Sequence, residues 1–182
     1  MKIKNKIGFV ISMPEMFNHY KNILELLDKK KFELILMFKK DEGGIIDTIK
    51  GEKYKYVFLE DVLRGCFVYR YLVTEHFLEC HRSLYLQKLI GLVNIRFMYA
   101  LGKSRWNFSE WNNIYDLILC FGPYQVEKLS FCKNALKIPI GYPRYDKFFK
   151  EKIDKEQLLK NLNCDVNKKT IVWLPTWKKL SS

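Results

Sequence analysis

The sequence is poor in the residues that punctuate or staple a chain. Nine glycines and five prolines in 182 residues leave no Gly/Ser linker, no low-complexity tract and no internal repeat, which excludes tethered modules and repeat arrays. The five cysteines, Cys66, Cys80, Cys120, Cys132 and Cys164, are odd in number, far apart and never in a C-x-x-C pair. That spacing excludes a zinc ribbon and a disulfide framework, and fits reduced thiols in a cytosolic protein. Glu75-His76 has no second ligand pair elsewhere, and neighbours on a strand point to opposite faces, so no metal is expected. The apolar run after MKIKNK is too short for a signal-peptide core or a membrane span, and no other segment is apolar for long enough to cross a bilayer. The turn that follows it, Ser12-Met13-Pro14-Glu15, lacks G-x-G-x-x-G, so no dinucleotide cofactor is expected. No basic stretch interleaves with aromatics as a single-strand-binding groove requires, and nucleic acid is not an expected partner.

What is present is positive charge and apolar mass. With 32 Lys and Arg against 20 Asp and Glu, the formal net charge is +12, which favours an anionic partner: a phosphate-bearing polymer or an anionic membrane surface. The one run of three cations, Lys29-Lys30-Lys31, falls where a first helix should end and complements its dipole. A hydrophobic content of 48% and an aromatic content of 15% are enough for the core of one domain, or of one domain and the beginning of another.

Short β-branched or aromatic runs alternate with amphipathic stretches, the signature of a mostly parallel, Rossmann-like α/β sheet. Strands are expected at residues 7–11, 32–38, 54–59, 70–74, 93–100, 115–121, 135–140 and 170–175. Near-continuous apolar runs such as YDLILCF indicate strands buried on both faces. Helices are expected at 17–30, 81–92, 123–132 and 154–163, with Tyr20, Ile23, Leu24 and Leu27 on one face of the first and Asp154 capping the last. Charge density rises at EKIDKEQ, so the division expected is a domain over 1–150 followed by 151–182, one helix and the first strand of a further domain.

In an open α/β sheet, ligands collect at the carboxyl ends of the strands. The residues to weigh there are Glu75-His76, Gly102-Lys103-Ser104-Arg105, Gly122-Pro123, Gly141-Tyr142-Pro143-Arg144 and Pro175-Thr176-Trp177. Lys103, Ser104, Gly141, Arg144 and Thr176 suit an anion held on backbone N–H groups and cations beside helix starts, and Asp146 is a further candidate for substrate contact. Of three histidines, His76 at a strand end is the candidate base, His19 reads as a packed or exposed helix residue and His81 as a helix cap. The aromatic-rich RWNFSEWNN reads as a cap over the sheet edge or a pocket.

Three phrases, NIYDLILCFGPYQVEKL, KIPIGYPRYDKFF and DKEQLLKNLNCDVNKKTIVWLPTWKK, resemble the middle of the CDP-glycerol glycerophosphotransferase family of teichoic-acid polymerases. The carriers are Tyr115-Asp116, the turn from Gly141 to Asp146, and Pro175-Thr176-Trp177. The resemblance implies a GT-B architecture of two Rossmann-like domains, with this chain as the acceptor-binding N-terminal one and the nucleotide-activated donor held by a domain beyond it. The donor-domain residues of the family have no counterpart here, so the chain is expected to be inactive alone. Two departures stand out: Met98 and Tyr99 occupy the place of the His-Gly whose histidine is the family's base, and Tyr145 replaces an asparagine. Either His76 takes over as base, or the acceptor differs, or the chain is inactive.

The function implied is transfer of a glycerophosphate-like or sugar group from a CDP- or other nucleotide-activated donor to a lipid-linked or polymeric acceptor, at the cytoplasmic face of the inner membrane. The rival is a non-catalytic domain that binds polyanions or membrane surfaces. The turn from Gly141 carries one more open choice: Arg144 and Asp146 either pair with each other as a latch or face a ligand phosphate.

Overall fold

The computed structural model describes residues 1–38, 44–81, 84–100 and 104–173. The strands are β1 (Lys2–Ile11), β2 (Phe32–Leu36), β3 (Tyr56–Phe58), β4 (Phe67–Thr74), β5 (Glu79–His81), β6 (Leu84–Tyr85), β7 (Gly91–Phe97), β8 (Leu117–Cys120) and β9 (Leu136–Pro139). The helices are α1 (Phe17–Leu24), α2 (Ile45–Gly51), α3 (Leu59–Arg64), α4 (Gln87–Ile90), α5 (Ser104–Asn107), α6 (Pro123–Lys128), α7 (Asp146–Lys150) and α8 (Lys155–Asn161).

Seven strands form one open sheet in the order β3-β2-β1-β4-β7-β8-β9, and every neighbouring pair is parallel. The fold is therefore α/β and Rossmann-like, as the alternating pattern predicts. Residues of one strand divide between two cores because side chains alternate across the sheet. Phe9, Ile11, Leu34, Leu36 and Val73 join Phe17, Tyr20 and Leu24 of α1 and Ile46 and Ile49 of α2. Val10, Ile35 and Leu72 join Val62 of α3 and Ile90 of α4. A third cluster gathers Met98, Ile118 and Cys120 with Leu129 and Cys132 after α6. Fully burying one such aliphatic or aromatic side chain contributes about 1.5–3 kcal/mol, so these clusters dominate the fold.

β1 starts earlier than its apolar run because Lys2, Ile3 and Lys4 pair with Phe67, Val68 and Tyr69 of β4. α1 ends at Leu24, short of the expected residue 30, and the lysine run lies in the turn where Lys31 N donates to Asp28 O (2.8 Å). The expected helix over 81–92 is a correction. Glu79–His81 and Leu84–Tyr85 form a two-stranded antiparallel ribbon, only Gln87–Ile90 is helical, and β7 begins at Gly91. His81 thus lies in β5 and caps no helix. The buried Gln87 side chain accepts from Leu78 N (2.7 Å), tying this short connection to the sheet.

The chain divides into two compact units, Met1–Asp146 and Lys147–Ser182. In the second, the Asp154 carboxylate caps α8 by accepting from Gln157 N (3.0 Å), and Leu159 is buried. Residues 170–173 form no strand, and 174 and 175 of the expected last strand lie outside the described residues.

The strand order fixes where a site can sit. From β1 the chain builds outward through β2 and β3, then returns to place β4 on the other side of β1 and builds outward again. The connections leaving the carboxyl ends of β1 and β4 diverge there, at the kind of switch point where open α/β sheets bind ligands.

Candidate functional site

Both connections at that switch point carry titratable groups. The connection after β1 turns through a 3₁₀ segment, Pro14–Met16, directly into α1, whose second turn presents His19. The connection after β4 begins with Glu75, whose side chain is 1% exposed. His19 Nδ1 lies 2.6 Å from Glu75 Oε1, across 56 residues of sequence. The ring of Tyr99, just beyond β7, stacks on the imidazole (centroids 6.1 Å apart, 16° between planes). Behind them the pairing is incomplete: neither Glu75 Oε2 nor the Tyr20 hydroxyl, both buried, has a hydrogen-bond partner among the described residues. Burial pushes the Glu75 carboxyl above its ordinary range, offset in part by the His19 hydrogen bond and charge and by the charge of Arg144. Burial, followed by the charge of Glu75, also raises Tyr20.

A buried cation supports the same loop from the sheet. Arg96 of β7 is fully buried; its Nε donates to Glu75 O (3.3 Å), Nη1 to Asn107 O (2.7 Å) and to Asn112 Oδ1, and Nη2 to Asn107 Oδ1 (3.2 Å). Its guanidinium lies 4.2 Å from the Trp111 ring centroid. Burial brings it down to about 10, so it remains a cation at neutral pH. RWNFSEWNN is therefore the cover of Arg96, with Trp106 and Trp111 meeting Phe77 at 5.4 and 5.2 Å.

The third edge is the turn after β9. Gly141 has φ +80°, a left-handed conformation that glycine adopts without strain. Tyr142 rests on Phe121 (centroids 4.3 Å), and Arg144 Nη1 donates to the Tyr142 hydroxyl (3.3 Å). The latch is made by Asn22 of α1, whose side-chain amide donates to Pro143 O (2.8 Å) and Arg144 O (3.4 Å). Among the described residues Arg144 makes no ion pair with Asp146, and its exposed guanidinium acts on Glu75 from the rim.

Of the residues singled out from sequence, Gly141 and Arg144 thus share the rim with the switch point, and Asp146 opens α7. His76 is half-buried, pushed down first by burial and then by the Arg96 cation. Ser104 opens α5; Lys103 and Thr176 lie outside the described residues. His19, Glu75 as its partner, Arg96 and Asn107 are what the sequence reading missed. Their contacts depend on strand order, and the applicable signal was that β1 and β4 flank the switch point.

No curated protein matches the chain. Residues 102–182, which hold β8, α6, β9 and the Gly141 turn, match the family model described as CDP-Glycerol:Poly(glycerophosphate) glycerophosphotransferase, and over that stretch the chain is similar to this transferase family.

Proposed function

We propose that the chain is the acceptor-side domain of a transferase. It moves a glycerophosphate-like or sugar group from a nucleotide-activated donor to a polymeric or lipid-linked surface-polymer precursor, at the cytoplasmic face of the inner membrane. The observation that carries this reading is the family match over residues 102–182. Two others support it: the Arg144 turn and the switch point share one rim, and the net charge of +12 suits a polyanionic acceptor. Among the described residues no helix is long and apolar enough to cross a membrane, so the attachment proposed is electrostatic. Single displacement needs a base on the acceptor hydroxyl and cations for the departing nucleotide. Arg144 is the group proposed for the second task; His76 and His19 are the rivals for the first. The donor is held by a further domain.

The test is transfer of radiolabel from CDP-glycerol to a lipid-linked glycerophosphate primer by the full-length gene product. Transfer with release of CMP is expected, and Arg144→Ala should lower kcat/KM by about 10- to 100-fold, the loss of one charge-assisted contact. A protein that binds primer and anionic vesicles with affinity that fades steeply as salt rises, yet transfers no label, would be the non-catalytic domain instead.

A further inference from the structure

We propose that His19 is the general base that takes the proton from the acceptor hydroxyl, with Glu75 as its positioning residue; this rests on the transferase reading above. The residue in the place of the family's base cannot serve, since Met98 is fully buried in the third hydrophobic cluster. The next residue, Tyr99, instead lays its ring on the His19 imidazole. His19 thus reaches the end of β7 from α1, and the end of β4 through Glu75.

Three features set this pair apart from a structural ion pair. It sits at the topological switch point of the sheet, where open α/β folds bind their ligands. Its Nδ1 is engaged by a carboxylate, and Nε2 has no hydrogen-bond partner among the described residues. Glu75 Oε2 and the Tyr20 hydroxyl are buried and unpartnered beside it, the mark of a polar site completed by something the protein binds. A carboxylate that accepts Nδ1–H fixes the tautomer with its lone pair on Nε2 and stabilises the imidazolium formed later.

The step balances as follows. The acceptor O–H bond breaks and its proton goes to His19 Nε2. The oxygen electron pair forms a bond to the donor's transferred phosphorus. The P–O bond to the nucleotide breaks, and its electron pair leaves with the nucleoside monophosphate, whose charge Arg144 stabilises.

Two measurements test this separately from the transferase reading. Nitrogen-15 spectra of the ring-labelled chain should show neutral His19 as the Nδ1–H tautomer, with the preference relaxed in Glu75→Gln. A dominant Nε2–H tautomer in the wild type would overturn the pairing, whatever the protein transfers. In the full-length gene product, His19→Gln should lower kcat by about 10²- to 10⁴-fold with KM changed little. Turnover within threefold of wild type in His19→Gln, with loss in His76→Ala, would move the base to His76 and leave the transferase reading standing. A wild type that transfers nothing would end both.

Discussion

Glu33 and Glu75 are two carboxylates of the same sheet, both largely withdrawn from water, and their surroundings treat them in opposite ways. Glu33, near the start of β2, takes the Lys4 ammonium at 2.5 Å, the Tyr69 hydroxyl and, at 3.9 Å, Lys6. Burial alone would raise it, but these hydrogen bonds and charges outweigh burial and hold it below 4.5. Glu75, past the end of β4, has one hydrogen-bonded side-chain oxygen and one without a partner, and burial wins. At the amino end of the strands the sequence supplies cations on alternate positions of β1, of which Lys4 and Lys6 match one acid. At the carboxyl end it buries an acid and supplies one histidine. The saturated acid ties β1, β2 and β4 together; the unsaturated one carries a cost in stability.

The largest break in this comparison comes through Arg96, which braces the Glu75 backbone. Arg96→Met fills the apolar volume but leaves Glu75 O and Asn112 Oδ1 without the donor that Arg96 supplies. The cost should be about 3–5 kcal/mol. At roughly 2–4 °C per kcal/mol for a chain of this size, a thermal melt should drop by about 10 °C. A melt within 2 °C of wild type would mean the brace is idle.

Glu33→Gln tests the saturated acid next. Losing charge-assisted bonds from Lys4 and Tyr69 should cost about 1–3 kcal/mol, with transfer activity unchanged because Glu33 stands at the far end of the sheet. The folded state holds Glu33 below its unfolded value, so its contribution is present above about 4.5 and lost as pH falls through the folded value. Melts of wild type and variant should therefore converge in acid.

The same contrast explains what could be seen in the sequence. Glu33 and Lys4 lie on strands whose apolar runs announce themselves, FELIL and the stretch into IGFVI, and a parallel sheet built from such runs was legible. So was the Asp154 cap, because a cap is local. The helix expected over 81–92 failed because the spacing of Leu84, Leu86, Leu89 and Ile90 is equally served by a ribbon and a short turn, once Gln87 is spent on Leu78 N. α2 and α3 were missed because at seven and six residues their period is too short to separate from the flanking strands. The turn at Gly141 was legible as a turn, but its latch to Asn22 spans 121 residues. His19 was passed over for the same reason: its significance lies entirely in Glu75, and nothing local in FNHYKNIL marks it.

The smallest expected change in stability, and the most telling, belongs to Glu75→Gln. Glutamine keeps an acceptor for His19 Nδ1–H and removes a buried charge, so the melt at neutral pH should stay within about 1 kcal/mol of wild type or rise. The sign in pH is the reverse of Glu33. The folded state raises Glu75, so it binds more protons folded than unfolded; its ionised form costs stability at pH above the folded value, and that cost disappears as pH falls toward 4.5. Wild type should therefore gain on Glu75→Gln in mild acid, at pH above the range in which it loses its lead over Glu33→Gln. If both variants shift the melt in the same direction with pH, the two acids are alike and the unsatisfied oxygen at the switch point has no functional meaning.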